Sequence, residues 1–129
     1  MLISDEVICA FGRVGHWFAY EKFGYRPDLV TFAKGVTSGY IPLGGVMVGN
    51  RVARVLIEQG GEFNHGYTYS GHPVACAVAL ANLDLMEKEN LPGRVKTTSA
   101  PTWQSALPNW ANTRWWVWPR PAASWPGWC

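Results

Sequence analysis

At 129 residues the chain lies below the ~150 residues usually allotted to one domain, which excludes an intact multidomain enzyme. A hydrophobic share of 48% with 16% charged residues excludes a wholly disordered or collagen-like chain. All nine acidic residues and nine of the eleven Lys and Arg precede position 97, so the net charge of +2 rests on Arg114 and Arg120, a poor electrostatic groove for nucleic acid. Leu2 to Ile8 is a short apolar, β-branched run carrying Asp5 and Glu6. It predicts a buried parallel strand that delivers a carboxylate to its carboxyl end, with Asp5 at the tip. Phe11 to Gly15 predicts an irregular loop, and Trp17, Phe18, Tyr20, Phe23 and Tyr25 predict the lining of a pocket or interface. Leu29 to Ala33 predicts a second buried strand ending at Lys34. A glycine-rich loop then leads to a third strand over Val46 to Val48.

Arg51 to Gln59 predicts a short helix with Val52, Val55 and Leu56 on one face, stopped by Gly60-Gly61. Phe63 to Gly71 reads as a polar, aromatic loop. Pro73 suits the first helical position, with Ser70 or Gly71 near the cap, and the helix from Val74 to Asn90 is expected to be buried at its start and wet at its end. Strands followed by helices, joined by long site-bearing loops, make this a piece of an α/β fold.

Cys9, Cys76 and Cys129 show neither zinc-site spacing nor the density of a disulfide scaffold. A reducing cytoplasm is the expected location, with Cys9 and Cys76 as buried small residues. The longest apolar run, Val74 to Ala81, is far short of the ~20 residues that span a bilayer. His65 and His72 have no carboxylate pattern around them, so no metal site is expected. Gly12 and Gly15 open no helix and make no nucleotide fingerprint.

Lys34 between Ala33 and Gly35 is the sharpest chemical feature. Alone it is either an imine-forming amine or an ordinary lysine where a strand emerges. Asp5 alone could simply cap a loop. Together they describe an acid at one strand tip that keeps a pyridinium nitrogen protonated and a lysine at the next that forms a Schiff base.

With Ile3-Ser4-Asp5-Glu6-Val7-Ile8, Phe11-Gly12-Arg13, Ala33-Lys34-Gly35, Pro42-Leu43-Gly44-Gly45 and His65-Gly66-Tyr67-Thr68-Tyr69-Ser70-Gly71-His72-Pro73 in order, the chain resembles class III pyridoxal phosphate-dependent aminotransferases over residues 1 to 96. The resemblance is strongest to the omega-amino acid or amine:pyruvate members. It implies part of the large, mostly parallel domain of a fold type I enzyme, with pyridoxal 5'-phosphate as cofactor and a homodimeric parent. It implies Asp5 as partner of the ring nitrogen, Val7 against the ring face, and Lys34 as imine-forming lysine and proton shuttle. It implies Thr68 as a phosphate ligand reaching the neighbouring subunit's cofactor. The substrates implied are an ω-amino acid or amine and pyruvate or a similar keto acid. Ile8 and Ala10 depart from the family pattern and blur the substrate subclass, and aminomutase and decarboxylase relatives stay open. The family's glycine/serine-rich phosphate cup, the aromatic over the other ring face and the small domain with its carboxylate-binding arginine have no counterpart here. The 129-residue chain alone is therefore expected to be an inert remnant.

Residues 97 to 129 read differently, holding seven of the eight Trp and no Asp, Glu, Lys, His, Ile, Phe, Tyr or Met. Tryptophan has the single codon TGG, so a frame one base earlier is tightly constrained. Asn109 to Val117 then permits L-G-E-H-P-L-V-G, and Thr97 to Trp103 permits D-D-I-G-P-Y-L, both like segments this family carries after its long helix. The expectation is a one-base deletion near the Lys96 codon and an out-of-frame, unstructured tail over 97 to 129. The competing reading is a genuine Trp/Pro-rich binding tail.

Overall fold

Three short strands form the sheet in the computed structural model, which describes residues 1–99. Strand β1 (Ile3–Asp5) lies beside β2 (Leu29–Phe32), and β2 beside β3 (Gly45–Val48). The β1–β2 pair is parallel and in register from Ile3 with Leu29 to Asp5 with Thr31. The β2–β3 pair is antiparallel, so only one of the two pairings has the direction expected of a mostly parallel sheet. The twelve-residue link between Phe32 and Gly45 holds no crossover helix, only a 3-10 turn over Lys34–Thr37, and it returns the chain in the opposite direction. Gly45 is required where it faces Phe32, because an added Cβ would stand 2.6 Å from the ring.

Residues alternate across the sheet. Ser4 and Val30 point to the covered face and are buried, while Ile3 and Asp5 lie on the open one. Helix α1 (Ala19–Phe23) is short, its N-cap residue Phe18 offers no side-chain hydrogen bond, and its own Glu21 accepts only from the Phe18 amide, at 3.3 Å. Its cap comes from Glu6, which is 1% exposed and accepts hydrogen bonds from the amides of Ala19 at 2.8 Å and Tyr20 at 2.9 Å. Glu6 also accepts from the Ser4 hydroxyl at 3.2 Å, and Ser4 shares a 2.7 Å bond with the Tyr25 hydroxyl. The carboxylate in the first loop thus ties the sheet to α1 and closes the buried cluster of Cys9, Val14 and Ala19.

Helix α2 (Asn50–Gln59) ends at Gly60 as its glycine pair predicts, yet it buries no residue. Val52 is half-buried, while Val55 and Leu56 stay exposed. Helix α3 (Pro73–Lys88) begins at Pro73, but its cap is His72 rather than Ser70 or Gly71, with the imidazole Nδ1 accepting from the Ala75 amide at 3.4 Å. Burial follows one face, Ala75, Ala79 and Met86, instead of one end, and Val74, Leu80 and Leu85 are exposed. Cys76 lies off that face and is exposed, contrary to the small buried residue expected; Cys9 is buried. Helix α4 (Leu91–Arg94) and a π turn over Val95–Ser99 follow. Thr97 to Ser99, expected to begin an unstructured tail, instead lie in that π turn, with the Thr97 hydroxyl donating to the Gly93 carbonyl at 3.1 Å, and the rest of the expected tail, from position 100, lies outside the described residues. Among the described residues no helix is long and apolar enough to cross a membrane.

Asp28 fastens the entry to β2. Its carboxylate accepts from Arg51 Nε at 2.9 Å and Nη2 at 2.6 Å, and from the Leu2 amide at 2.7 Å. The Arg51 bonds, then the Leu2 amide, hold its pKa down from 3.8 to about 2. A carboxyl lowered in the folded state adds stability that is complete above the unfolded value and is lost as pH falls through the folded one. The melting temperature of the folded protein should therefore drop more steeply between pH ~4 and ~2 than that of Asp28→Asn. Parallel curves for the two proteins would remove Asp28 from acid unfolding.

Candidate active site

The parallel register places Asp5 level with Thr31, three residues before Lys34. β1 thus ends in Asp5, and the chain leaving the neighbouring end of β2 reaches Lys34 two residues past Phe32, at the start of the 3-10 turn. Asp5 is held from two sides. Thr31 Oγ1 donates to its Oδ1 at 3.0 Å, and the Val7 amide donates to the same oxygen at 3.1 Å. Oδ2 accepts no hydrogen bond among the described residues, which leaves one carboxylate oxygen open as an acceptor. Val7, half-buried, stands in the turn that leaves β1.

Lys34 is exposed, and its ε-amine has no hydrogen bond or ion pair among the described residues. Its backbone sits at φ 48°, in the left-handed region that a residue with a Cβ rarely adopts, at a cost of roughly 1–2 kcal/mol. Ser38, which closes the turn, sits at φ 51°. Such a conformation persists only where neighbours over-determine it. Those neighbours are Phe11, Thr37 and Asn82. An added Cβ on Gly35 would stand 3.0 Å from Phe11 Cβ, so a glycine next to Lys34 lets the Phe11 loop close over the turn. Thr37 is 1% exposed and donates its hydroxyl to the Ile41 carbonyl at 2.7 Å. Asn82 of α3 bonds to the turn from the other side.

Thr68 is not brought to this pair. It is exposed, and its hydroxyl has no hydrogen bond among the described residues. The hydrogen bonds of residues 63–72 run within the loop, to Glu62 or into the first turn of α3. His65 lies between the rings of Phe63 and Tyr67, at 5.8 Å from each. Among the described residues no group of three or more His, Cys, Asp or Glu is arranged to hold a metal ion.

The expected aromatic pocket is present in part. Phe11, Trp17 and Phe18 line an open cavity of about 390 Å³ with Phe32, Val36 and Met47, while Tyr20 stacks on Phe18 at 5.4 Å. Phe23 is exposed. None of Asp5, Val7, Lys34 or Thr68 lines this cavity. Sequence reasoning passed over Thr31, Glu6 and Asn82. Thr31 and Glu6 are polar residues set within or just beside strand-like apolar runs, and Asn82 interrupts the apolar face of a helix. Those breaks in pattern were the available signal.

The family model for class-III aminotransferases matches residues 1–111. The chain is 55% identical over 101 residues to the putrescine–pyruvate aminotransferase of Pseudomonas aeruginosa, covering 78% of this chain and 22% of that protein. It is 50% identical over 103 residues to the diaminobutyrate–2-oxoglutarate transaminase of Halomonas elongata, again covering 78% of this chain and 22% of the relative. Among solved structures, an (S)-enantioselective omega-transaminase from Thermomicrobium roseum superposes with a TM-score of 0.75 at 52% identity, over 81% of this chain and 23% of that one. The chain thus spans about a fifth of the length of the relatives it matches. By these matches and by the α/β arrangement of its sheet and helices, the chain belongs to the class-III aminotransferase family.

Proposed function

We propose that this segment contributes the cofactor-attaching lysine and the ring-nitrogen acid of a pyridoxal 5'-phosphate enzyme that moves an amino group from an ω-amino acid or amine to pyruvate. The observation that carries the proposal is the pairing at the sheet edge. Asp5 closes β1 and Lys34 follows the end of the parallel neighbour β2 by two residues, with one Asp5 oxygen open and the Lys34 amine unengaged among the described residues. The donor set fits the group: the open oxygen suits a ring N–H, and a free primary amine suits a carbonyl carbon. When bound, the cofactor supplies an electron sink for the bond broken at the substrate's amine-bearing carbon.

Asp5 would then hold a proton on the ring nitrogen, and the bonds from Thr31 and Val7 keep its carboxylate aimed. Val7 offers an apolar side chain to the ring face. Lys34 Nζ would hold the cofactor through its carbonyl carbon, and as a free amine it would serve as the base that moves the proton at the substrate carbon. Thr68 stands on an exposed loop with no hydrogen bond to its hydroxyl among the described residues, which favours a phosphate role at the partner subunit of a homodimer. The putrescine–pyruvate name of one relative and the omega-transaminase title of another support an amine donor and pyruvate.

The test replaces the matching segment of the Pseudomonas aeruginosa enzyme with residues 1–96 of this chain. The chimera is expected to bind cofactor and to transaminate pyruvate from a diamine or ω-amino acid over many turnovers, while the 129-residue chain alone does neither. A folded, cofactor-loaded chimera inert toward every such donor would refute the proposal. The out-of-frame tail is proposed on codon grounds, and sequencing the DNA past the Lys96 codon decides it. An unbroken frame with no family-like alternative would end that reading.

A further inference from the structure

We propose that Asn82 is a positioning residue for Lys34, holding the strained turn that presents the amine. The inference rests on Lys34 being the lysine that attaches the cofactor. The apolar stripe of α3 runs Ala75, Ala79 and Met86, at steps of four and seven residues. Asn82 falls on the same stripe, where a helix packed only for burial would carry an apolar side chain. Instead its amide nitrogen donates to the carbonyl of Gly35 at 3.0 Å and of Val36 at 3.1 Å. Its amide oxygen accepts from the Ser38 hydroxyl at 2.7 Å. One side chain therefore grips the 3-10 turn and its cap at three points, Gly35, Val36 and Ser38, and both the first residue of that turn, Lys34, and its C-cap, Ser38, sit at positive φ.

The geometry separates this role from packing. The turn's own amide bonds are long, Val36 to the Ala33 carbonyl at 3.3 Å and Ser38 to the Gly35 carbonyl at 3.2 Å, so they are weak restraints on a left-handed lysine. Asn82 adds restraint at the carbonyls that those bonds leave partly unsatisfied, and it comes from a rigid helix rather than from the loop. Releasing it lets Lys34 relax toward ordinary φ, which swings the amine away from the position that Asp5 defines. Positioning losses of this kind cost about 10- to 100-fold in rate without touching the reacting atoms.

The experiment uses the chimera described above, with Asn82→Asp as the main variant. Aspartate keeps the acceptor for Ser38 but removes both donors and sets a negative charge against two carbonyls. In the cofactor-free protein, amide exchange at Val36 and Ser38 is expected to quicken by about 10-fold or more while β2 amides keep their protection. In the loaded enzyme, kcat is expected to fall by about 10- to 100-fold with KM for the amine donor nearly unchanged, and the pH midpoint of the visible cofactor band to shift. Asn82→Ala, a good helix former at a half-buried site, repeats the comparison if the aspartate variant is not recovered folded. Unchanged turn exchange, or a rate loss that merely tracks the folded fraction with the pH midpoint fixed, overturns the proposal. Lys34→Ala distinguishes the two layers. If its cofactor band persists, the lysine assignment falls and this inference with it; if the band is lost while the Asn82 variants behave as parent, only the role of Asn82 falls.

Discussion

Lys34→Ala in the chimera is expected to abolish covalent attachment of the cofactor and to lower turnover by at least ~10³-fold, the scale of losing a nucleophile that acts with its partners as a unit. Borohydride reduction of the parent chimera should leave the cofactor's mass on the peptide containing Lys34, and the variant should carry none there. The expectation follows from placement. Lys34 is the second residue beyond a strand whose neighbour ends in Asp5, its amine is unengaged among the described residues, and its backbone is kept in a conformation that an ordinary surface lysine has no reason to occupy. Reduction that labels a different lysine, with turnover intact in the variant, would show that this strand end is structural.

Glu6→Ala is expected to be the most destabilising single substitution in the segment, at about 3 kcal/mol. The carboxylate is 1% exposed and answers two amides at the start of α1 and the hydroxyl of Ser4. Its removal leaves those buried donors without an acceptor, each worth about 1–3 kcal/mol, and opens a space between β1 and α1. Glu6→Gln should recover only part of the loss, because one oxygen cannot serve both amides and the new NH2 group faces a donor. Thermal melting of the chimera is the measurement. A Glu6→Ala protein that melts with the parent would mean that water or backbone adjustment satisfies α1 equally well.

The carboxylate and lysine were legible as strand-end residues because each stands at the close of a short β-branched apolar run, and Lys34 is in addition followed by Gly35. β2, β3 and α2 were legible for the same reason, each an apolar segment bounded by Gly or Pro. The direction of β3 was not, since strand sense depends on the path of the connection rather than on its composition. Helix α1 escaped notice because it is five residues long and its cap arrives from Glu6, thirteen residues earlier, so no capping residue stands in front of it. The one-sided burial of α3 was hidden by a sequence that is apolar nearly all round. Only the packed structure decides which side is covered by the described residues. Thr31 and Asn82 take their meaning from partners 26 and 44 or more residues away, a kind of information that pattern along the chain does not hold.

The Asn82 clasp also orders events during synthesis. Lys34 is translated 48 residues before Asn82, so at ribosomal rates of about 5–20 residues per second the turn waits several seconds for the side chain that grips it. The parallel β1–β2 pair can close in that interval, since both strands are complete by Phe32, while the lysine turn stays free to sample ordinary backbone angles. A nascent chain halted ahead of α3 would then carry a formed sheet edge with its Asp5 in place and an unaimed lysine.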